Sequence, residues 1–315
     1  MVNQLYLHLG PPKTGSTTLQ RQLHQHAAPL LAQGILYPKG GRLAEGQCVE
    51  VKRSGGKHTE YGPGLTHNLV GWWLENKVTE GAHLAQKVVS ALAEELTSTT
   101  AHTAVLSGEG LFWLQPNHWD QFLEPLQLPE VKVIWYDRDP WKRARSLYSQ
   151  AVKMGKTTLS YPQYLREHLP ETFRYHFRQV HRLTKYFGEE NVIVKSFDDR
   201  VAASDLVRDF FITVGVDLSK IDIDEAATNA RVSPSDIQVL LAINRIERRL
   251  SGALPYGKLR LGIRSASYQR LGRPIADKLM RANQPSQADR DYLNRMIETI
   301  LSELSPSSES DRAHP

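Results

Sequence analysis

Residues 5–19 read LYLHLGPPKTGSTTL, and this stretch decides the fold class of the chain. Its first part, Leu5 to Leu9, has the apolar character and the length of a short strand. Glycines and prolines then interrupt the strand, and Ser16 is the predicted cap of a helix that follows. A strand, a glycine-rich turn and a helix open a βαβ unit, so the stretch predicts an α/β protein.

Later apolar runs and helical patterns extend this unit along the chain. Further strands are predicted at residues 103–107 (TAVLS), 131–136 (VKVIWY) and 191–197 (NVIVKSF). Helices are predicted at residues 69–75, 84–96, 140–153, 161–168, 173–187, 203–214, 234–250, 268–281 and 287–304. Strands separated by helices indicate a three-layer α/β/α fold with a central parallel sheet. Because ligands of such sheets bind at the carboxyl ends of the strands, we expect the chemistry just after Leu9, Ser107 and Tyr136.

We expect residues 1–304 to form a single domain, since no internal repeat or change of composition divides them. Residues 39–64 hold many glycines and basic residues and few large apolar ones. This composition predicts a long mobile loop, and we expect it to contact substrate because long loops in compact domains are usually functional. Residues 305–315 (SPSSESDRAHP) are predicted to be a disordered tail.

The composition limits the class of protein. The 315 residues include 39 Lys and Arg against 34 Asp and Glu, a formal charge of +5, which allows an anionic ligand and does not suggest a histone-like polycation. The single cysteine, Cys48, excludes an internal disulfide framework and any cysteine cluster for zinc or iron–sulfur. No apolar run approaches the roughly 18 residues of a membrane span, and the amino terminus lacks the pattern of a signal peptide. We therefore expect a cytoplasmic protein without a membrane span.

Gly10 and Gly15 have the spacing of a phosphate-binding loop, G-x-x-x-x-G. In the ATP- and GTP-binding version a lysine follows the second glycine, but here Ser16 stands in that place and the lysine, Lys13, lies inside the loop. Backbone N–H groups of residues 14–18 can still surround a phosphate at the helix N-terminus. The loop therefore predicts an anion site of a different kind from the ATP loop.

A second block follows the predicted strand at 131–136. It begins with Arg138, continues with Pro140 as the first residue of a helix, and places Ser146 eight residues after the arginine. Arginine offers a planar fork for a phosphate, and serine offers one hydroxyl. The two blocks are separated by roughly 125 residues, yet each follows a strand, so the fold predicts that both contribute to one site.

Residues 12–19 (PKTGSTTL) resemble the 5′-phosphosulfate loop of the PAPS-dependent sulfotransferases, which reads P-K-T/S-G-T/S-T-x-L. The block from Arg138 to Ser146 is similar to the 3′-phosphate block of the same family, and the resemblance covers mainly residues 5–37 and 131–155. It implies a cytosolic, bacterial member with a P-loop NTPase-like fold, PAPS as sulfuryl donor and no required metal. The donor-binding residues that it implies are Pro12, Lys13, Thr14, Gly15, Ser16, Thr17, Thr18, Arg138 and Ser146.

The resemblance also implies that the enzyme transfers a sulfuryl group to an acceptor hydroxyl or amine. Lys13 is suited to neutralise the charge that develops on the bridging oxygen. Family members place a His or Glu near the end of the strand at 103–107, so Glu109 is the predicted general base, with a pKa that partial burial would raise. His67 is the second candidate for the base and His58 the third.

Two other classes of function remain open from the residues alone. The strand VIWY followed by Asp137 also resembles a Walker B strand, whose aspartate serves Mg²⁺ in a kinase that uses ATP. That alternative lacks the lysine expected at position 16. A second alternative is a nucleic-acid binder, because residues 245–281 hold ten Lys and Arg against two acidic residues. No recognisable RNA- or DNA-binding module accompanies them, and we expect no nucleic-acid partner.

The sequence does not identify the acceptor. Small-molecule, lipid and carbohydrate hydroxyls, and peptide tyrosine, all stay open. Three tryptophans are candidates for lining its pocket, although core packing is the more common role for such residues. They are Trp72, Trp73 and Trp113. The oligomeric state is likewise not predicted.

Overall fold

The computed structural model describes residues 2–11, 13–53, 56–223, 234–250 and 286–304. The strands are β1 (Gln4–His8), β2 (Ile35–Leu36), β3 (Cys48–Arg53), β4 (Gly56–Tyr61), β5 (Val78–Glu80), β6 (Thr103–Ser107), β7 (Glu130–Asp137) and β8 (Val192–Ser196). The first helices are α1 (Ser16–Gln25), α2 (Ala27–Leu31), α3 (Asn68–Leu74), α4 (Ala82–Ser98), α5 (Pro116–Leu123) and α6 (Pro140–Lys153). The later ones are α7 (Tyr161–Glu167), α8 (Leu169–Phe187), α9 (Phe197–Ala202), α10 (Leu206–Thr213), α11 (Pro234–Leu250) and α12 (Gln287–Glu303).

Contacts divide the chain into two compact units. The first consists of Met1–Arg138 and Gln179–Thr228, and the second of Asp139–Arg178 and Asn229–Pro315. Within the described ranges, all eight strands lie in the first unit.

A five-stranded parallel sheet forms the centre of the first unit. Its strand order is β2-β6-β1-β7-β8, so β1 is the middle strand and β6 and β7 flank it. The register pairs His8, the last residue of β1, with Ser107, the last residue of β6. The predicted central parallel sheet is confirmed, and it brings the ends of these strands to one edge.

Helices cover both faces of this sheet because its strands are apolar on both sides. In β1 the side chains of Leu5 and Leu7 pack on one face with α3, α4 and the last turns of α8, whereas Tyr6 packs on the other face with α1 and α10. Full burial of each such apolar side chain contributes about 1.5–3 kcal/mol. The predicted three-layer α/β/α arrangement is confirmed in the first unit.

A small antiparallel sheet replaces the loop predicted at residues 39–64. Its order is β4-β3-β5, with β3 and β4 joined as a hairpin. Val49 and Val51 of β3 are buried in a cluster of their own, which also contains Leu43, Leu69, Ala85 and Val88. The prediction of a loop was wrong because only two apolar residues alternate in β3, and packing against α3 and α4 supplies the stability that this weak pattern lacks.

The second unit is helical in its described part. Helices α6, α7, α11 and α12 and the first turns of α8 pack around buried residues such as Ala144, Leu165, Leu241 and Leu293. Helix α6 begins as predicted at Pro140, and the side chain of Asp139 caps it by accepting a hydrogen bond of 2.9 Å from the N–H of Lys142. Every helix in the described ranges is too short or too polar to cross a lipid bilayer.

Candidate functional site

The candidate site lies at the edge of the large sheet where its strands end. Residues 10–15 follow β1, Gly108 to Gly110 follow β6, Arg138 follows β7 and Phe197 follows β8. This is the edge at which ligands of parallel α/β sheets bind.

The backbone of the loop after β1 takes an unusual path. Lys13 has φ +75° and Gly15 has φ +77°, both in the left-handed region. Gly15, rather than the predicted Ser16, is the N-cap of α1, and Ser16 is its first helical residue. A Cβ on Gly15 would lie 2.5 Å from Cδ2 of Leu206, so another residue here would need both a left-handed φ and a shift of that side chain.

The hydroxyl groups of the loop have different surroundings. Thr14 is fully buried and donates to the carbonyl of Pro11 at 2.7 Å, so its side chain closes the loop. The side chain of Ser16 is 3% exposed, and its Oγ has no hydrogen-bond partner among the described residues. Thr17 is exposed and Thr18 is half-buried. Pro12 lies outside the described residues.

Helix α1 adds a favourable field for an anion at the loop. The first amides of a helix have no intrahelical acceptors, and the helix dipole places partial positive charge at this end. A buried hydroxyl without a partner at the same place fits a site that is completed by an anionic oxygen.

Arg138 reaches the loop from the end of β7. Its Nη1 donates a hydrogen bond of 3.0 Å to the backbone carbonyl of Lys13. The guanidinium lies 5.2 Å from the centre of the Phe197 ring, and its Nε is 4.0 Å from a carboxylate oxygen of Asp198. The two motifs, 125 residues apart in the chain, thus meet in the first unit.

Ser146 lies on α6 in the second unit and is half-buried. It stands about two turns after the Asp139 cap. Its predicted role beside Arg138 at a phosphate stays a prediction.

Glu109 stands on a short turn whose neighbours are fixed by hydrogen bonds. The N–H of Gly108 donates to the carbonyl of His8 at 3.2 Å, and the N–H of Gly110 donates to Oδ1 of Asn68 at 2.8 Å. Glu109 itself is half-buried. The turn therefore holds a carboxylate at the same sheet edge as the loop, while its role as the base stays a prediction.

His67 is built into the core instead of facing an acceptor. It is fully buried, its Nδ1 accepts from the N–H of Ser107 at 3.1 Å, and its Nε2 lies 3.2 Å from the carbonyl of Pro38, to which it donates. Burial, helped by the nearby Arg42, lowers the pKa of His67 to about 3. His67 has no free ring nitrogen with which to take a proton, and we assign it a structural role.

The other residues singled out in the sequence lie away from this edge or in the core. His58 is exposed on β4 of the small sheet. Trp72 and Trp73 pack against the cluster under that sheet, and Trp113 packs edge-on against Phe112. All three tryptophans are half-buried and make packing contacts, and their predicted place in an acceptor pocket stays a prediction.

The basic segment at 245–281 lies largely outside the described residues, which stop at 250 and resume at 286. In the described part, Arg245 and Arg248 donate to the backbone and side chain of Thr158. The predicted tail at 305–315 also lies outside the described residues. Within the described ranges, no three His, Cys, Asp or Glu side chains are grouped so that they could hold a metal ion.

A cavity of about 630 Å³ opens at the opposite edge of the large sheet, where the strands begin. Thr103 and Glu130, the first residues of β6 and β7, line it, and none of the sequence-predicted site residues does. Since ligands of parallel sheets bind at the carboxyl ends, we place the candidate site at the other edge.

Four residues near the loop and the Glu109 turn were not predicted. They are His8, Asn68, Phe197 and Asp198. His8 is a polar residue at the end of the apolar run that begins at Leu5, and Phe197 and Asp198 directly follow β8. The rule that ligands bind after parallel strands could have identified the last two.

Comparison with known proteins gives similarity to solved structures only. No protein-family model matches the sequence. No curated protein matches it significantly. The sulfotransferase from Alicyclobacillus acidocaldarius is 18% identical, with 78% of this chain and 92% of that chain covered and a TM-score of 0.42. The sulfotransferase domain of the Synechococcus PCC 7002 olefin synthase is 18% identical over 78% and 88% of the two chains, with a TM-score of 0.40.

A third structure, the sulfotransferase domain from the curacin biosynthetic pathway, is 12% identical over 73% of this chain and 81% of that chain, with a TM-score of 0.37. Overlap at this level does not identify an activity or a ligand. The function has to be inferred from the residues of the chain itself.

Proposed function

We propose that this protein is a sulfotransferase that moves a sulfuryl group from PAPS to an acceptor hydroxyl or amine and releases adenosine 3′,5′-bisphosphate. The observation that carries the proposal is the contact between Arg138 and the backbone of Lys13 at the carboxyl edge of the sheet. It joins the two blocks whose residues resemble the donor-binding motifs of that family.

The loop and the first turn of α1 would hold the 5′-phosphosulfate. Their donors are backbone amides, the hydroxyl of Ser16 and the ammonium of Lys13. Arg138 would bind the 3′-phosphate through its guanidinium fork, with Ser146 as a second donor. In this arrangement the site would offer positive charge and N–H groups to the negative charges of the donor.

The transfer is an in-line displacement. The acceptor oxygen or nitrogen forms a bond to sulfur while the bond from sulfur to the bridging phosphate oxygen breaks, and the acceptor proton passes to the Glu109 carboxylate. Lys13 stabilises the negative charge that collects on the bridging oxygen. In this scheme catalysis comes from positioning and electrostatic stabilisation.

Calorimetry with adenosine 3′,5′-bisphosphate tests the donor site. We expect micromolar binding to the wild type and a loss of at least about tenfold in Arg138→Ala, because charge-assisted bonds to phosphate contribute about 1.5–3 kcal/mol. Arg182→Ala is the matched control, since Arg182 is an exposed arginine whose described contact is Gln115. Absence of binding to the wild type would refute the proposal.

A screen of acceptors with labelled PAPS then tests the reaction itself. Simple alcohols, sugars, lipids and tyrosine peptides represent the acceptor classes. Turnover of ATP with Mg²⁺, in the absence of PAPS turnover, would instead support the kinase alternative that Asp137 at the end of β7 leaves open.

A further inference from the structure

Four polar side chains are buried together between α1 and the large sheet. They are His8, Ser16, Gln20 and Ser107, each no more than 4% exposed. Aromatic rings surround them, with the centre of the Phe210 ring 5.2 Å and that of Tyr136 6.4 Å from the centre of the His8 ring. Buried polar groups are costly unless they are hydrogen-bonded, so a set of four directly behind the phosphate loop calls for an explanation.

Three of the four side chains form a chain of hydrogen bonds. Oγ of Ser107 lies 2.7 Å from Nδ1 of His8 and accepts from Nε2 of Gln20 at 3.2 Å. Strand register explains the first contact, since His8 and Ser107 are paired neighbours at the ends of β1 and β6. From this network we assign the hydroxyl hydrogen to the bond with Nδ1, which leaves the ring proton of His8 on Nε2.

Two atoms at the centre of the group have no partner among the described residues. They are Nε2 of His8 and Oγ of Ser16. A Cβ on Gly10 would lie 2.0 Å from Oγ of Ser16 and 3.4 Å from Cε1 of His8, the ring atom next to Nε2. These two distances together place Oγ within about 5.4 Å of Cε1. This is an upper limit on the distance between the two atoms, and it lies within the reach of one bridging water, which spans two hydrogen bonds of about 2.8 Å each.

We propose that His8 is a positioning residue of the phosphate loop, whose Nε2–H holds the Ser16 hydroxyl through one ordered water molecule. The proposal rests on the proposed function, because the anion that Ser16 would contact is the 5′-phosphosulfate of the donor. The hydroxyl of Ser16 then accepts a hydrogen bond from this water and donates its own hydrogen to a phosphate oxygen. The chain Gln20–Ser107–His8 fixes the imidazole that performs this task.

The surroundings keep the imidazole neutral, as this role requires. Burial lowers the pKa of His8 to about 3, so the ring holds one proton throughout the neutral range. Its neighbours on the adjacent elements are Ser107, Gln20, Tyr136 and Phe210, none of which carries a charge at neutral pH. A neutral ring can donate from one nitrogen and accept at the other, which is what a relay between Ser107 and Ser16 needs.

Two variants of His8 test the roles of its two ring nitrogens separately. Asparagine places its amide near the position of Nδ1 and keeps the contact with Ser107, whereas glutamine reaches the position of Nε2. We expect His8→Asn to weaken binding of adenosine 3′,5′-bisphosphate about tenfold, the effect of losing one oriented hydrogen bond. His8→Gln should restore most of that loss. Equal affinity of wild type and His8→Asn would overturn the proposal.

A double-mutant cycle with Ser16 tests whether His8 acts through that hydroxyl. If it does, His8→Asn should change the affinity less than about twofold in a Ser16→Ala background. Fully additive losses would assign His8 a role that does not pass through Ser16 and would overturn the proposal. Thermal unfolding of each variant provides the control, because a merely structural histidine would lower stability and leave affinity unchanged in both backgrounds.

Binding of inorganic pyrophosphate, measured as a second ligand, tests the positioning role of His8 independently of the proposed function. If the wild type ignores adenosine 3′,5′-bisphosphate but binds pyrophosphate with the same dependence on His8 and Ser16, the proposed function is wrong and the positioning role stands. If both ligands bind and neither depends on His8, the positioning role is wrong. If neither binds, both are wrong.

Discussion

Nη1 of Arg138 donates a hydrogen bond to the backbone carbonyl of Lys13, although 125 residues separate them in the chain. Lys13 itself is in the left-handed conformation, with φ +75°. The arginine that is proposed to bind one phosphate thus also fixes the backbone of the loop that is proposed to bind the other. We therefore expect donor binding and loop geometry to be coupled through this contact.

We expect the left-handed conformation of Lys13 to lower the stability of the folded protein. A residue other than glycine in the left-handed region costs about 1–2 kcal/mol, part of which the greater freedom of glycine in the unfolded state offsets. We expect Lys13→Gly to be more stable than the wild type by about 0.5–1 kcal/mol and to lose sulfuryl transfer. Lys13→Ala is the control, since it keeps the strained φ and removes the side chain beyond Cβ, including the ammonium. Urea unfolding and turnover of labelled PAPS measure the two effects, and an unchanged transfer rate in Lys13→Ala would remove the ammonium from the mechanism.

Any side chain at position 15 should lower stability. The φ of +77° at Gly15 and the 2.5 Å approach of Leu206 both oppose a Cβ, so Gly15→Ala should lose about 2–3 kcal/mol of stability. Gly46→Ala is a matched control because Gly46 has φ +76° and open space around its Cα. The difference between the two variants in urea unfolding gives the steric part of the cost, and equal losses would show that Leu206 and Phe197 simply move aside.

The planar shape of the Arg138 guanidinium, and not only its charge, should contribute to the affinity for the nucleotide. A lysine at this position carries one ammonium and cannot present the planar pair of N–H groups that lets arginine contact the Lys13 carbonyl and a phosphate together. We expect Arg138→Lys to bind adenosine 3′,5′-bisphosphate about tenfold more weakly than the wild type. Calorimetry at constant ionic strength is the measurement, and full affinity in Arg138→Lys would mean that charge alone is sufficient.

Glu109 should affect turnover and not donor affinity. General-base catalysis contributes about 10²–10⁴-fold, so Glu109→Gln should reduce turnover by a factor in that range and leave the affinity for adenosine 3′,5′-bisphosphate within about twofold. Glu75→Gln is a suitable control, because Glu75 pairs with Lys77 outside the sheet edge. Normal turnover in Glu109→Gln would assign the acceptor proton to another group.

The buried His67 should make stability depend on pH. Its pKa is about 3 in the folded protein and 6.5 when exposed, so between these values the unfolded state binds one more proton and stability rises with pH. The slope from this residue is at most about 1.4 kcal/mol per pH unit. The stability advantage of wild type over His67→Gln should therefore shrink as the pH falls from about 6.5 towards 4. Urea unfolding across this range measures it, and a constant difference would contradict the neutral buried imidazole.

The local sequence predicts the helices and strands that have a strong sequence pattern within their own residues. The strand at Thr103–Ser107 and the helix at Pro140–Lys153 have the predicted bounds, because a continuous apolar run and a proline at the first helical position mark them. The hairpin of β3 and β4 was missed, since Val49 and Val51 become informative only through residues of α3 and α4. Burial by distant residues is not visible in a short window of sequence.

The residues of the candidate site likewise fall into some that the local sequence predicts and some that it does not. The loop and Arg138 could be predicted because each follows a strand and has a chemical pattern of its own. The burial of His67 could not, since its partners are the backbone of Pro38 and Ser107, far away in sequence. The helix cap was assigned to Ser16 by residue preference, but tertiary packing gives that position to Gly15 and leaves the serine hydroxyl for another partner.

The small antiparallel sheet rests on a hydrophobic cluster separate from the two that flank the large sheet. Substitutions on the exposed strand β4 are therefore expected to add to changes at the phosphate loop without interacting with them. Because the two sets of effects are independent, residues on this face can be substituted one at a time without altering the phosphate loop. Such substitutions change the surface chemistry of this face and leave the candidate site at the sheet edge unchanged.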